Sequence, residues 1–285
     1  MKNKFLIPQS KKLSLSKYNT SETGGLKSKK DALVRLKENI KIMSELQAKL
    51  YAQDKYALLI IFQAMDAAGK DGTIKHVMSG LNPQGTQVHS FKQPSKTELD
   101  HSYLWRIYCA LPEKGRIGIF NRSHYEDVLV VRVHNLIIDQ KIPDQFKNDN
   151  IWIQRYRQIN DFEKYLFENG IIILKFFLHI SKEEQKKRFL KRIDDPSKNW
   201  KFSQADVSER AHWDEYQNAY EEAISATSKK FAPWFVIPSD KKWFARLVVS
   251  EIIVEQMGAL NPEYPRLSKE QLKNLKTIRA KLIAD

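Results

Sequence analysis

The sequence predicts an α/β fold, a mainly parallel sheet with helices on both faces. Three observations lead there. Short apolar runs rich in strand formers alternate with longer stretches of helical period, the pattern of βαβ units. The first of these runs passes straight into a small-residue loop that ends in a lysine and a helix start. Hydrophobic residues make up 42% of the 285, enough for a large core, and the 29% that are charged are mixed with apolar segments, which argues against disorder through the middle.

From the N-terminus, Met1 to about Lys27 is polar, holds the Gly24-Gly25 pair and reads as an extended arm. Its Phe5, Leu6 and Ile7 are too few for a signal peptide. From Ser28 to Asp54 apolar residues fall at Leu33, Leu36, Ile40, Met43, Leu46 and Leu50, spacings of three and four that give one helical face. The period then changes. Tyr56 to Phe62 is a continuous apolar run, as a parallel strand buried on both sides requires. Gly115 to Phe120, Gly170 to Ile180 and Trp234 to Ile237 repeat it, and the weaker Thr86 to Phe91 makes a fifth strand. Helices are expected at about Lys70 to Ser79, Ser95 to Ala110, Asp144 to Asn169, Lys182 to Arg192, Ala205 to Lys229 and Lys241 to Met257. After Pro262, Leu267, Leu272, Leu275, Ile278 and Leu282 lie among many lysines, as in an amphipathic tail helix. There is no internal repeat. The expected organisation is an arm over 1–27, one catalytic domain over 28–259 and a tail over 260–285.

Lys and Arg outnumber Asp and Glu by 48 to 34, a formal net charge of +14 that favours a polyanionic partner: nucleic acid, polyphosphate or anionic lipid. No segment approaches the roughly 20 apolar residues that cross a bilayer, so no membrane is expected. A single cysteine, Cys109, excludes an intramolecular disulfide and fits a reducing, cytoplasmic setting, with the thiol expected as a small buried apolar group.

The loop Ala64-Met65-Asp66-Ala67-Ala68-Gly69-Lys70-Asp71-Gly72-Thr73 stands where a phosphate loop belongs. Small residues let successive N–H groups turn toward phosphate oxygens, the helix start adds partial positive charge, and Lys70 adds a full one. Ala67, Ala68, Gly69, Lys70, Asp71, Gly72 and Thr73 are therefore the candidate cradle, with Lys75 one turn further on. Against G-x-x-x-x-G-K-[ST], Ala64 replaces the first glycine and Asp71 the hydroxyl residue. The missing hydroxyl removes the usual magnesium ligand, and the Asp66 carboxylate is the preferred substitute.

The Gly115 to Phe120 strand ends in Asn121-Arg122-Ser123-His124-Tyr125-Glu126-Asp127. Segments beyond the carboxyl ends of neighbouring strands converge on the ligand crevice, so this turn should face the phosphate loop. Arg122 can grip a transferring phosphoryl group, and Glu126 or Asp127 can hold magnesium or order the acceptor. Phosphate-loop enzymes carry an acid near this strand end, but here Asn121 comes first, so either Asp127 supplies the charge or Asp66 carries most of it. Neither His124 nor His134 has a partner at ligand spacing, and both are expected as surface or hydrogen-bonded core residues.

Seven positive side chains fall between Lys186 and Phe202. On a helix Arg188 and Arg192 share a face and can neutralise adjacent phosphates together, with Lys187, Lys198 and Lys201 beside them. The Asp195-Pro196-Ser197 break then starts a crossing toward the next helix, with Trp200 and Phe202 as anchors. This is the plan of a lid, over about 183–206, that excludes water and adds charge at the moment of transfer.

Together these segments resemble the polyphosphate kinase 2 family, especially its class III members, which phosphorylate both nucleoside mono- and diphosphates. The matching text is QAMDAAGKDGT from Gln63 to Thr73, FNRSHYEDVLV from Phe120 to Val130, LKFFLHISK from Leu174 to Lys182, the Asp195 to Phe202 lid and APWFVIP from Ala232 to Pro238. The similarity runs from about Lys29 to Met257. It implies a three-layer P-loop kinase fold with a five-stranded parallel sheet and a helical lid, magnesium dependence with manganese as an alternative ion, and a homodimer or homotetramer. By position it makes Lys70 and Asp66 the phosphate-loop lysine and metal-binding aspartate, Arg122 the second-motif arginine, and Arg188 and Arg192 the lid arginines. Other classes have an aspartate where this chain has Asn121 and an asparagine where it has Glu126, so no metal role is carried onto Asn121.

The expected reaction is in-line transfer from inorganic polyphosphate to AMP and ADP, with GMP and GDP as further acceptors, giving ADP and ATP reversibly. The acceptor oxygen is already anionic, so positioning and charge neutralisation should dominate over base catalysis. Two rivals are an ATP-dependent nucleoside or nucleotide kinase and a P-loop nucleic-acid-binding protein. The lysines are not interleaved with a base-stacking motif, which disfavours nucleic acid.

Overall fold

The protein, seen in a computed structural model, is described over residues 2–9, 12–26, 28–201 and 203–284. A short α1 (Lys2–Phe5) and a 3-10 turn at Leu15–Lys17 precede α2 (Lys29–Gln53), whose start is capped by Ser28 Oγ accepting from the N–H of Lys30 at 3.0 Å and Asp31 at 3.4 Å. Then come β1 (Ala57–Gln63), α3 (Lys70–Val77) and β2 (Thr86–Ser90). The expected Ser95 to Ala110 helix is two short ones, α4 (Lys96–Leu99) and α5 (Trp105–Cys109), because the Ser95/Glu98 capping box closes a single turn and the chain restarts at Trp105. After β3 (Ile117–Asn121), a 3-10 turn at His124–Val128 leads into α6 (Val130–Val133). The Asp144 to Asn169 helix begins later, as α7 (Ile151–Glu168), and is followed by β4 (Ile171–His179) and α8 (Lys182–Ile193). His212 divides the expected Ala205 to Lys229 helix into α9 (Gln204–Ala211) and α10 (Trp213–Thr227). The order ends with β5 (Trp234–Pro238), α11 (Lys242–Ala259) and α12 (Lys269–Ala284).

The five strands form one parallel sheet in the order β2-β3-β1-β4-β5. β1 is central, and every one of its side chains from Ala57 to Gln63 is buried, as an apolar run covered on both faces should be. β2 is an edge strand, half-exposed, which explains its weak signal in the sequence. Helices α2, α3 and α11 pack together as one layer, and α7 packs on β4 and α10 as another. Parallel strands all end on the same side, so the loops after β1, β3, β4 and β5 meet at one carboxyl edge.

The polar N-terminal arm proves to be part of the core. Phe5, Ile7, Leu13 and Leu15 are all at most 3% exposed. Phe5 sits edge-on to Phe244 of α11, Leu6 bridges antiparallel to Phe235, and the Ile7 N–H donates to Trp234 O at 2.9 Å. The arm thus covers the β5 edge, which would otherwise present unpaired backbone groups. Two short apolar clusters, Phe5 to Ile7 and Leu13 with Leu15, are too brief among polar residues to announce burial against a distant sheet edge. Cys109, expected buried, is exposed, because α5 turns Ile107 inward and its neighbours outward. The tail forms the expected helix, with Leu272, Leu275, Ile278 and Leu282 exposed. No helix among the described residues is long and apolar enough to cross a membrane.

Replacing Phe5 by Ala should destabilise the protein by about 3 kcal/mol in urea unfolding. Lys4→Ala, at the exposed ion pair with Glu22, should change stability by no more than about 0.5 kcal/mol. Two silent substitutions would return the arm to the surface.

Candidate active site

The loop after β1 reaches α3 through two left-handed residues, Ala67 (φ 59°) and Gly69 (φ 106°). Nothing crowds a Cβ at Gly69, so the backbone angle is what calls for glycine there. No side chain caps the start of α3. The N–H groups of Lys70, Asp71 and Gly72, which have no acceptor within their own first turn, are left for a ligand. The N–H of Ala68 and that of Thr73 are already used, donating to Met65 O at 3.3 Å and Gly69 O at 2.9 Å, which narrows the predicted cradle to Gly69 through Gly72. Lys70 Nζ donates to Ala64 O at 3.0 Å. Burial lowers its pKa, with the Asp66 carboxylate opposing and the Arg122 guanidinium adding to the effect.

Arg122 comes to this loop from the end of β3. Its N–H donates to Phe62 O at 3.0 Å, extending the β1/β3 ladder, and its Nη2 lies 3.4 Å from Asp66 Oδ1. Its φ of 65° is left-handed, a strained angle for a residue with a side chain. Burial alone would lower the guanidinium pKa, but Glu126 and Asp66 raise it overall. Glu126 shares the crevice: burial raises its carboxyl pKa against the pull of Arg122 and Lys70. Lys70, Asp66, Arg122 and Glu126, from two loops on adjacent strands, thus form one charged cluster.

Asp127, predicted as a metal ligand, turns the other way. Its Oδ1 accepts from Gln140 Nε2 at 2.8 Å, and burial raises its pKa against the charges of Arg155 and Arg106. In a 3-10 turn successive side chains diverge, so Glu126 and Asp127 cannot both face the loop. Asp127 lines a separate cavity of about 510 Å³, with Tyr103, Arg106, Gln140, Phe146 and Arg155. There the Arg155 guanidinium lies 3.9 Å over the Tyr103 ring, and its Nε is buried without a partner.

Arg188 is not a free lid arginine. Nε donates to Glu184 Oε1 at 2.8 Å, Nη1 to Ala67 O at 3.0 Å and Ala68 O at 2.7 Å, and Nη2 to Ser239 O at 2.6 Å and Asp240 O at 3.0 Å. All five N–H donors are spent, so none is left for a phosphate. A trans peptide points its N–H opposite its C=O, so holding Ala68 O also aims the Gly69 N–H away from Arg188. Arg192 does face inward, with Nη1 3.3 Å from Asp206 Oδ2 on α9. Burial and the charge of Asp66 raise the Asp206 pKa, so this lid carboxylate borders the cluster. Gln185 joins lid to loop, donating to Asp66 O at 3.0 Å while accepting from Arg210 Nη1 at 2.8 Å.

The other basic candidates are spread out. Lys75 and Lys187 are exposed, and Lys198 pairs with Asp195 within the lid. The Lys201 side chain and all of Phe202 lie outside the described residues. Trp200 is 77% exposed, its Nε1 donating to Ser197 O, rather than a buried anchor. Asn121 donates to Asp71 Oδ1 at 2.8 Å. His124 is a buried core residue beside Glu163, and His134 pairs with Glu209, so both stand in hydrogen-bonded settings.

Two cations were missed. A Cβ at Gly72 would lie 3.4 Å from Arg246 Nη2, and one at Gly69 3.9 Å from Lys242 Cε, so the start of α11 borders the phosphate loop. Burial and then the charge of Arg188 lower the pKa of both, and Arg246 Nε is buried without a partner. The signal was available, since both follow the carboxyl end of β5. For a hard cation the crevice offers the partly exposed Asp66 carboxylate together with Gln63 Oε1 and Asn121 Oδ1, buried oxygens without a hydrogen-bond partner at the ends of β1 and β3.

A family model described as polyphosphate kinase 2 matches residues 26–265. An ADP-polyphosphate phosphotransferase of Rhodopseudomonas palustris is 49% identical over 98% of this chain and 97% of its own length. An AMP/ADP-polyphosphate phosphotransferase of Meiothermus ruber is 45% identical over 92% of this chain and 95% of its own. The crystal structure of polyphosphate kinase 2 from Arthrobacter aurescens superposes with a TM-score of 0.90 at 38% identity, covering 100% of this chain and 96% of that one. The phosphate loop and the second-strand turn both lie within the matched residues, and the chain belongs to the polyphosphate kinase 2 family.

Proposed function

We propose that this protein is a polyphosphate kinase that transfers the terminal phosphoryl group of inorganic polyphosphate to AMP and ADP, and to GMP and GDP as further acceptors, reversibly. The observation that carries this reading is positive charge on both sides of the phosphate loop: Lys242 and Arg246, which follow β5, stand beside Gly69 and Gly72, whereas Arg122 follows β3 across the central strand β1. A nucleotide's own phosphates would be served by the loop alone, whereas a longer chain of phosphates needs cations further along its path. The relatives' names, which specify ADP and AMP with polyphosphate, support the same substrates.

In this reading the donor lies on the amides of Gly69 to Gly72, and the acceptor nucleoside occupies the cavity bordered by Asp127, Tyr103 and Arg155. The transferring group passes between them, beside Arg122. An acceptor phosphate oxygen attacks the terminal phosphorus in line as the bridging oxygen leaves with the shortened chain. That oxygen is anionic already, so no side chain has to remove a proton. Lys70 and Arg122 neutralise charge on the transferring group, Glu126 and Asp66 hold Arg122 in place, and Arg192 approaches with the lid. Asp66 would hold magnesium, or manganese, with the buried Gln63 Oε1 and Asn121 Oδ1 as further oxygen donors, and would thereby bring added neutralisation of phosphate charge. A lone thiol supports a cytoplasmic setting, and the exposed leucines of α12 support a homodimer or homotetramer.

Incubation of the purified protein with AMP, magnesium and polyphosphate, without ATP, should yield ADP and then ATP by chromatography. Product formed only when ATP is supplied would favour an ATP-dependent nucleotide kinase. Two arginine substitutions should separate chemistry from support. Arg122→Lys should cut kcat about a hundredfold with the unfolding midpoint unchanged. Arg188→Lys, which breaks a buried set of bonds, should cost about 3 kcal/mol of stability. The reverse pattern would make Arg188 the phosphate ligand after all.

A further inference from the structure

One charged residue interrupts the apolar strand β4. Lys175 is fully buried, opposite Ile61 of β1 and Trp234 of β5 in the ladder. Its three ammonium protons go to Glu163 Oε2 at 2.5 Å, Tyr125 Oη at 2.9 Å and Thr227 O at 2.8 Å. Glu163, on α7, is equally buried, and its Oε1 accepts from the Tyr125 hydroxyl at 2.9 Å and lies 3.3 Å from His124 Nε2. One cation and one anion thus clamp two consecutive side chains of the turn after β3.

Those two residues stand between Arg122 and Glu126. A 3-10 turn fixes the angle from each side chain to the next, so pinning His124 and Tyr125 inward determines where Glu126 points. On the other flank, Tyr125 N–H donates to Ser123 Oγ at 3.3 Å and Gln63 Nε2 donates to the same oxygen at 3.2 Å. The left-handed Arg122 begins this turn, and such an angle persists only where its surroundings over-determine it.

Stability is a poor reason for the pair. A buried ion pair can often be exchanged for apolar groups of the same volume without loss, because taking both charges out of water offsets their attraction. We infer that Lys175 is a positioning residue for phosphoryl transfer: through Tyr125 and Glu163 it holds the turn that presents Arg122 and Glu126 to the phosphate loop. This rests on the assignment of Arg122 to the transferring group, and it gives the LKFFLHISK segment a function that phosphate contact does not.

The test removes the charges together, so that neither is left buried alone. Lys175→Met combined with Glu163→Gln should fold, with cooperative thermal unfolding, while kcat for AMP with polyphosphate falls about a hundredfold and KM for polyphosphate stays within about twofold. A folded double variant with kcat within about threefold of wild type overturns the proposal, because a merely structural pair would leave each folded molecule fully active. If the double variant does not fold, Tyr125→Phe decides: it removes only the linking hydroxyl. A fall of about tenfold in kcat at unchanged KM supports the positioning role, and wild-type kcat overturns it. Wild-type activity with polyphosphate, measured alongside, tests the assignment of function separately.

Discussion

The grip of Arg188 on the carbonyls of Ala67 and Ala68 is the constraint on which the site depends. A phosphate loop works only if its N–H groups face the ligand, and a short loop of small residues has no side chains of its own to enforce that. Arg188 enforces it from behind, tying the loop to Ser239 and Asp240 after β5 and to α8 through Glu184. The same bonds hold α8 against the loop, immediately before the basic crossing that the sequence reads as a lid. Loop geometry and the placing of α8 are therefore set by one side chain whose cost of burial is offset by five hydrogen bonds.

The opposite wall is built differently. The turn after β3 is held by a buried lysine and glutamate, which act through aromatic and histidine side chains. Between these two supports Lys70, Asp66, Arg122 and Glu126 come together with their charges partly balanced, and Lys242 and Arg246 extend positive charge past the loop. The formal charge of +14 is thus concentrated in part where a polyanion would run.

Much of this was legible in the sequence. The apolar run before Ala64, the small residues up to Gly69 and the helix after Lys70 implied the loop, because strand, turn and helix chemistry are local. The meeting of Arg122 with Asp66 followed from strand ends converging. What depends on direction rather than order was not legible. Periodicity places Arg188 and Arg192 on one helical face, but it does not say that one of them lies beneath the loop and the other beside the crevice. Adjacent Glu126 and Asp127 read alike and point to different cavities. Phe5, Ile7, Leu13 and Leu15 enter the core from a polar arm because a sheet edge, distant in sequence, needs covering.

The most direct measurement is a crystal structure with polyphosphate bound. The account predicts phosphate oxygens within hydrogen-bond reach of the Lys70, Asp71 and Gly72 amides, with Arg188 still on the Ala67 and Ala68 carbonyls. A phosphate chain seated away from those amides, or Arg188 released from the loop and turned onto a phosphate, would contradict it.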